Sequence, residues 1–291
     1  MGEDNTGFYQ KFTNLPFFKL CASGNDFVIV LDLENKVSKD EASYLAKSLC
    51  RRKFSVGADG FIVVKPPKDP EKAAFSWLFF NSDGSEAEMC GNGARCVSRL
   101  VTELGLFESP FYFETKAGLI YAEVKGKKVK VALTSPKDLK LNKVLRTDYD
   151  WFLIHFVNTG VPHVVLFWED IENAPVEKLG SKIRFHEEFL PEGTNVNFVS
   201  VQSDNTLRIR TYERGVEAET LACGTGSCAA AYISYILGLV KSPVKVLTQG
   251  GEELTVYIDK SGDSEVKLYL EGLTIFAYSG TLKEDALKLE L

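Results

Sequence analysis

Two short stretches of this chain put a cysteine ahead of a Gly-x-Gly turn. The first is Met89-Cys90-Gly91-Asn92-Gly93-Ala94-Arg95-Cys96, and the second is Ala222-Cys223-Gly224-Thr225-Gly226-Ser227-Cys228. In each, the turn is expected to open a helix, and a residue able to cap it, Asn92 or Thr225, stands two places after the cysteine. Both thiols are thereby expected beside unpaired backbone N–H groups at the positive end of a helix dipole, where a thiolate is favoured. An ordinary thiol has a pKa of about 8.5, so a depression of about 1.5 units, worth roughly 2 kcal/mol, leaves it mostly ionised at neutral pH. One such site suggests a nucleophile. Two, in matching halves of one chain, suggest a reaction that needs a sulfur on each side of a substrate.

The chemistry open to such a pair is proton transfer. A substrate carboxylate placed between two helix N-termini is held by backbone N–H groups of Gly91, Asn92, Gly224 and Thr225. The adjacent carbon then lies between Cys90 and Cys223, one of which removes its proton as thiolate while the other, as thiol, supplies a proton to the opposite face. The dipoles also meet the charge that flows into the carboxylate as the proton leaves. Neighbouring groups must keep one thiolate and one thiol, and His163 and Glu213 are the candidates for that task.

Cys21, Cys50, Cys96 and Cys228 read as small core hydrophobes. Six cysteines are too few for a disulfide scaffold of this size. With no C-x-x-C pair and three histidines, a zinc site is not expected. His155 and His186 read as surface or loop residues. The acidic residues Glu86, Glu88, Glu217 and Glu219 read as answers to the helix dipoles that follow them.

The elements that must position these residues follow from periodicity. Residues 1–14 read as a loose leader. Phe17 to Asp32 reads as strand, turn and strand, and Ser38 to Arg51 as an amphipathic helix capped by Ser38. Buried strands are expected at Phe61–Val64 and Phe75–Phe80. After Cys90, Val97, Leu100, Val101 and Leu104 recur at helical spacing up to a C-cap at Gly105. Phe111–Thr115, Leu119–Val124 and Lys128–Leu133 alternate like antiparallel strands, and the polar residues 134–149 read as a connector between halves.

The plan then repeats. Gly24 and Gly57 before their strands match Gly160 and Gly193 at an offset of 136, Glu86 matches Glu217 at 131, and Cys90, Gly105, Thr115 and Gly118 match Cys223, Gly238, Thr248 and Gly251 at 133. The fold class expected is therefore α/β of the α+β type. It comprises two pseudo-twofold-related domains, each a curved, mostly antiparallel sheet around a central helix. Residues 1–134 form the half carrying Cys90, joined by a C-terminal strand within 277–291, and residues 150–276 form the half carrying Cys223. The run after Cys228, apolar nearly all round, suits a helix wrapped inside a sheet.

Composition narrows the partner. With 291 residues, 45% of them hydrophobic, and a formal charge of −6 without a basic run, nucleic acid and anionic membranes are disfavoured and a small molecule is the expected ligand. The polar first dozen residues lack a secretory pattern and no apolar run reaches membrane-spanning length, so a cytoplasmic protein is expected. Neither glycine-rich turn has the G-x-G-x-x-G or P-loop arrangement of a nucleotide site.

From about Phe17 onward the chain resembles the diaminopimelate epimerase family. The resemblance rests on Ser23-Gly24-Asn25-Asp26-Phe27, Asn81-Ser82-Asp83-Gly84-Ser85, the Cys90 motif, and Tyr212-Glu213-Arg214-Gly215 leading to the Cys223 motif. It implies a homodimeric, cofactor-independent enzyme that interconverts LL- and meso-diaminopimelate on the route to lysine and cell-wall peptide. Cys90 and Cys223 are then the acid and base, and Asn25, Asn81, Asn195, Glu213 and Arg214 the groups that bind the substrate's amines and far carboxylate. Val161 stands where many members have Asn, and Gly60 where some have Gln. Asn158 or Thr159 are the neighbours placed to supply the hydrogen bond that Val161 cannot make. The alternatives are another cofactor-independent racemase, such as one acting on proline, and a redox protein in which the two cysteines pair.

Overall fold

The computed structural model describes residues 6–147, 150–202, 205–260 and 265–289. The chain divides into two compact units, Met1–Val129 with Leu273–Leu291, and Lys130–Gly272.

In the first unit, α1 (Thr6–Phe12) precedes a hairpin of β1 (Pro16–Ala22) and β2 (Asn25–Leu31). Its loop residues Ser23 and Gly24 have φ of 49° and 84°, the two positive values that a two-residue hairpin turn requires. Then come α2 (Lys39–Leu49), β3 (Gly60–Lys65), β4 (Phe75–Asn81), α3 (Gly91–Glu103), β5 (Phe111–Thr115), β6 (Gly118–Lys125) and β7 (Lys128–Ala132), on which the chain leaves this unit. β2–β3 and β4–β5 are parallel, whereas β1–β2, β3–β4 and β5–β6 are antiparallel. The two parallel pairs are the ones whose connections carry α2 and α3, because a parallel pair needs a long crossover.

The two helices have different surroundings. α2 packs on β3 and β4 through Ala42, Leu45, Ala46 and Leu49, all without solvent exposure. Each such Leu contributes roughly 1.5–3 kcal/mol. Its start is the expected one: Glu41 N–H donates to Ser38 Oγ at 3.2 Å and Ser38 N–H to Glu41 Oε2 at 2.8 Å, a reciprocal cap. α3 instead packs against β1, β2, β3 and β6, and every residue from Asn92 to Val101 is buried. Strands caught between the two helices are apolar on both faces, so Phe27–Val30 and Phe61–Val64 are continuous buried runs.

The second unit repeats this order. It consists of β8 (Lys137–Arg146), β9 (Trp151–Asn158), β10 (Pro162–Phe167), α4 (Val176–Arg184), β11 (Asn195–Val201), β12 (Thr206–Glu213), β13 (Ala218–Thr220), α5 (Gly224–Ile236), β14 (Val244–Leu247), β15 (Glu253–Asp259) and β16 (Lys267–Leu273). β10–β11 and β12–β14 are parallel and bridged by α4 and α5, while β8–β9, β9–β10, β11–β12, β14–β15 and β15–β16 are antiparallel. α5 packs against β9, β10, β11, β12, β14 and β15, with Gly226–Ser234 buried. α4 lies on β11, β12 and β13.

The chain then returns to the first unit. β17 (Ile275–Thr281) pairs antiparallel with β1, as β8 does with β9, and α3 packs against it as well. The short α6 (Glu284–Leu287) follows, and Leu282 and Leu287 join Phe12, Leu45 and Leu49 in one buried cluster.

Several sequence expectations are corrected. The leader holds α1, because Phe12, 1% exposed, fills the core and Lys11 pairs with Glu41 of α2 at 2.6 Å. Residues 137–146 of the connector form β8: their polar side chains face outward while the backbone pairs with β9. His155 is buried in β9, where its Nδ1 accepts from the Asn142 N–H at 3.2 Å. Glu86, Glu217 and Glu219 answer side-chain cations in place of helix dipoles. Glu86 pairs with Lys39 and Lys116, Glu217 with Arg184, and Glu219 with Arg210.

Candidate active site

Cys90 and Cys223 are themselves the N-caps of their helices, which corrects the assignment of that role to Asn92 and Thr225. Cys90 has extended backbone (φ −141°, ψ 120°) and its Sγ accepts from the Gly93 N–H at 3.5 Å. Cys223 caps α5 in the same conformation (φ −124°, ψ 110°), with its Sγ 3.5 Å from the Thr225 hydroxyl. Both helices close as expected on glycines of positive φ, Gly105 and Gly238. None of the six cysteines is in a disulfide.

Around Cys90, the structure joins Asn92 to Asn25. The Asn92 amide, buried in the first turn of α3, donates to Asn25 Oδ1 at 2.6 Å, and its own oxygen accepts from Arg95 Nη2 at 2.6 Å. Asn25 opens β2, Gly60 opens β3, and Asn81 closes β4 opposite Gly60, so three strands end together at the α3 N-terminus. Asn81 is exposed and donates to Ser85 Oγ at 3.0 Å. Gly60 has no room for a side chain: a Cβ there meets the Phe79 ring at 2.7 Å.

Around Cys223, a second set converges. His163, second residue of β10, pairs with Asn195 at the start of the parallel β11, and Glu213 ends β12. Asn195 is 3% exposed; its oxygen accepts from the Arg214 N–H at 2.9 Å and its amide donates to Pro162 O at 3.0 Å. The Thr159 hydroxyl donates to the Thr225 carbonyl at 2.9 Å. That bond commits Thr159 to the helix end, while Asn158 Oδ1 accepts from the Gly160 N–H at 2.9 Å. Arg214, half-buried, lines a cavity of about 430 Å³ with Lys140, Asn158, Val161 and Glu192.

The electrostatics differ from the sequence expectation at one of the two sulfurs. Burial pushes the Cys223 thiol up to about 12, the Glu213 carboxylate pushes the same way, and the Thr225 hydroxyl with the Thr225 and Gly226 amides only partly oppose them. A thiolate is therefore disfavoured at Cys223, because desolvation outweighs the helix end. Burial likewise raises the pKa of Glu213 itself. Burial, and then Arg214, lower His163 to about 3, so its ring is neutral.

His163 reaches the α5 end through Asn197, which sequence reading missed. The Asn197 oxygen accepts from the Thr211 hydroxyl at 2.9 Å, so its amide faces His163 Nδ1 at 3.2 Å. Nδ1 accepts that bond, and the ring proton sits on Nε2, which is buried without a hydrogen-bond partner among the described residues. Gly226 presses on the same residue: a Cβ at 226 meets Asn197 Oδ1, and lies 3.3 Å from Cys223 Sγ. The available signal for Asn197 was a second Asn two places after Asn195, on the same face of a wholly buried stretch of β11. For Arg95, it was an arginine inside a helix motif of small residues.

Comparison with known proteins identifies the family and the fold. The sequence model of the family described as diaminopimelate epimerase matches residues 17–138 and 155–272. The chain is 49% identical over 286 residues to the diaminopimelate epimerase of Aquifex aeolicus, covering 94% of this chain and 100% of that protein. Among solved structures, a phenazine biosynthesis protein of the PhzF family from Bacillus anthracis superposes with a TM-score of 0.71 at 18% identity, covering 92% of this chain and 98% of that one. A probable proline racemase from Agrobacterium radiobacter K84 does so with a TM-score of 0.68 at 15% identity, covering 92% of each. At such identities the structures share the fold alone.

Proposed function

Because the chain belongs to the diaminopimelate epimerase family, we propose that it interconverts LL- and meso-diaminopimelate by a two-base reaction at one α-carbon, without a cofactor. The observation that carries this reading is the pair of cysteine-capped helices, one in each of two units of the same topology. In the direction that starts from a protonated Cys223, Cys90 is the base. It takes the α-proton, and the electron pair left on carbon is delocalised into the carboxylate. That carboxylate is met by first-turn N–H groups at Gly91, Asn92, Gly224 and Thr225. Cys223 then gives its proton to the opposite face and is left as thiolate. The reverse reaction exchanges the roles.

Burial, and after it Glu213, serve this scheme by holding Cys223 protonated until it is needed. His163, being neutral, acts by holding Asn197 against the α5 end and not by charge. Arg214 suits a bidentate contact with the far carboxylate, and Asn25, Asn81, Asn195 and Glu213 complete the polar lining. The reading extends to a cytoplasmic homodimer supplying lysine and cell-wall precursors. Sedimentation at micromolar concentration tests the dimer.

Incubation of reduced protein with LL-diaminopimelate in heavy water is expected to place deuterium on one α-carbon and yield the meso isomer without pyridoxal phosphate or metal. Replacing either Cys90 or Cys223 by alanine is expected to stop net epimerisation. Racemisation of proline with no action on diaminopimelate would transfer the protein to the runner-up class. No carbon-bound deuterium in any amino acid offered would favour the redox reading.

A further inference from the structure

The helix end that carries Cys90 is tied to a chain of side chains with a cation at one end and a carboxylate at the other. Arg95, the largest fully buried side chain among the described residues, donates through Nη2 to Asn92 Oδ1 and to Ser23 Oγ, both at 2.6 Å. Asn92 passes the polarity on by donating to Asn25 Oδ1 at 2.6 Å. Asn25 in turn donates to Asp59 Oδ2 at 3.3 Å. Asp59 is fixed by Arg52 Nη2 at 2.8 Å and by the Asp26 N–H at 3.2 Å, and Arg52 also grips Asp26 at 2.6 Å.

The two ends dictate the middle. A guanidinium only donates and a carboxylate only accepts, whereas an asparagine amide offers one of each. With Arg95 at one end and Asp59 at the other, each amide oxygen turns towards Arg95 and each NH2 towards Asp59. Asn25 therefore has its oxygen engaged, and what it has left for a ligand is an N–H. Reversal of either amide sets NH2 against guanidinium or oxygen against carboxylate.

We propose that Arg95 and Asp59 are positioning residues for the reaction, acting jointly through Asn92 and Asn25 on the first turn of α3. This rests on the epimerase reading for its consequence in rate, but not for the relay itself. Asp59 is exposed, so Asp59→Asn replaces the accept-only end by an uncharged amide that can face either way, at little risk to folding, and Asp59→Glu restores an accept-only carboxylate. Arg95→Lys keeps the buried charge but loses the fork.

The test combines kinetics with side-chain amide NMR of the ligand-free protein. Asp59→Asn is expected to shift the Asn25 and Asn92 NH2 resonances together and to lower kcat/KM for epimerisation about tenfold, the worth of one charge-assisted hydrogen bond. Asp59→Glu is expected to recover most of the rate. The Arg95→Lys, Asp59→Asn double variant is expected to lose little more than the worse single one, since either change cuts the same relay. Multiplying losses, or an Asn92 resonance indifferent to Asp59→Asn, overturns the proposal. If the amide resonances move together in a protein that does not epimerise diaminopimelate, the relay stands and the epimerase reading falls.

Discussion

Thr159, 1% exposed, donates from its hydroxyl to the Thr225 carbonyl at 2.9 Å. This bond fastens the turn ahead of β10 to the first turn of the helix that Cys223 caps. In the sequence the two threonines are far apart, and Thr159 has no chemical motif around it. Its effect is to fix the direction in which the α5 N–H groups point.

Thr159→Val keeps the volume and removes the donor. It is expected to cost about 1 kcal/mol in stability, the usual worth of one buried hydrogen bond, and to lower kcat more than KM changes, because the helix end is loosened in the step that develops charge. Urea unfolding and steady-state epimerisation of the variant check both. A wild-type kcat would remove Thr159 from the machinery.

The elevated Cys223 pKa predicts its reactivity. Burial is the larger cause and Glu213 the second, together placing the thiol at about 12. Alkylation of Cys223 by iodoacetamide, followed by peptide mass mapping, is expected to be slow at pH 8 and to keep rising beyond pH 10. Glu213→Gln removes a like charge, so it is expected to bring the rise to lower pH and speed alkylation at pH 8 several-fold. Because burial, the larger cause, still holds Cys223 protonated at neutral pH, any loss of epimerisation rate in the same variant is expected to come from the missing carboxylate in the substrate's polar lining.

His163 sets an acid limit on stability. Burial, with Arg214, lowers it to about 3 in the folded protein, against about 6.5 when unfolded. Its folded pKa is depressed and its acidic form is the cation, so below about 6.5 the unfolded chain binds a proton that the folded chain refuses. Stability is therefore expected to be complete above that pH and to fall progressively from about pH 6.5 towards pH 3. His163→Gln is expected to flatten that part of the curve in urea titrations at stepped pH. An unchanged slope would mean that His163 titrates normally in the folded state.

Much of this protein is local and was legible before any coordinates. Ser38 and Glu41 announce a helix start because the cap closes within four residues. Cys90-Gly91-Asn92-Gly93 and Cys223-Gly224-Thr225-Gly226 announce helix ends for the same reason, and the recurring offsets disclose two units built alike. The apolar runs Phe27–Val30 and Phe61–Val64 show burial on both faces, since no polar residue interrupts them.

What required the tertiary structure was every property that depends on which distant groups share a site. Helix-end electrostatics favour a thiolate at Cys223, yet the surrounding fold buries it beside Glu213 and reverses the preference. The polar run at 137–146 looks like a connector because strand pairing satisfies its backbone while its side chains face outward. Arg95 and Asp59 reveal a common role only when folding sets Asn92 and Asn25 between them. Short-range hydrogen bonding is encoded in neighbours along the chain; desolvation and charge–charge interactions are sums over neighbours in space, which only the packed chain supplies.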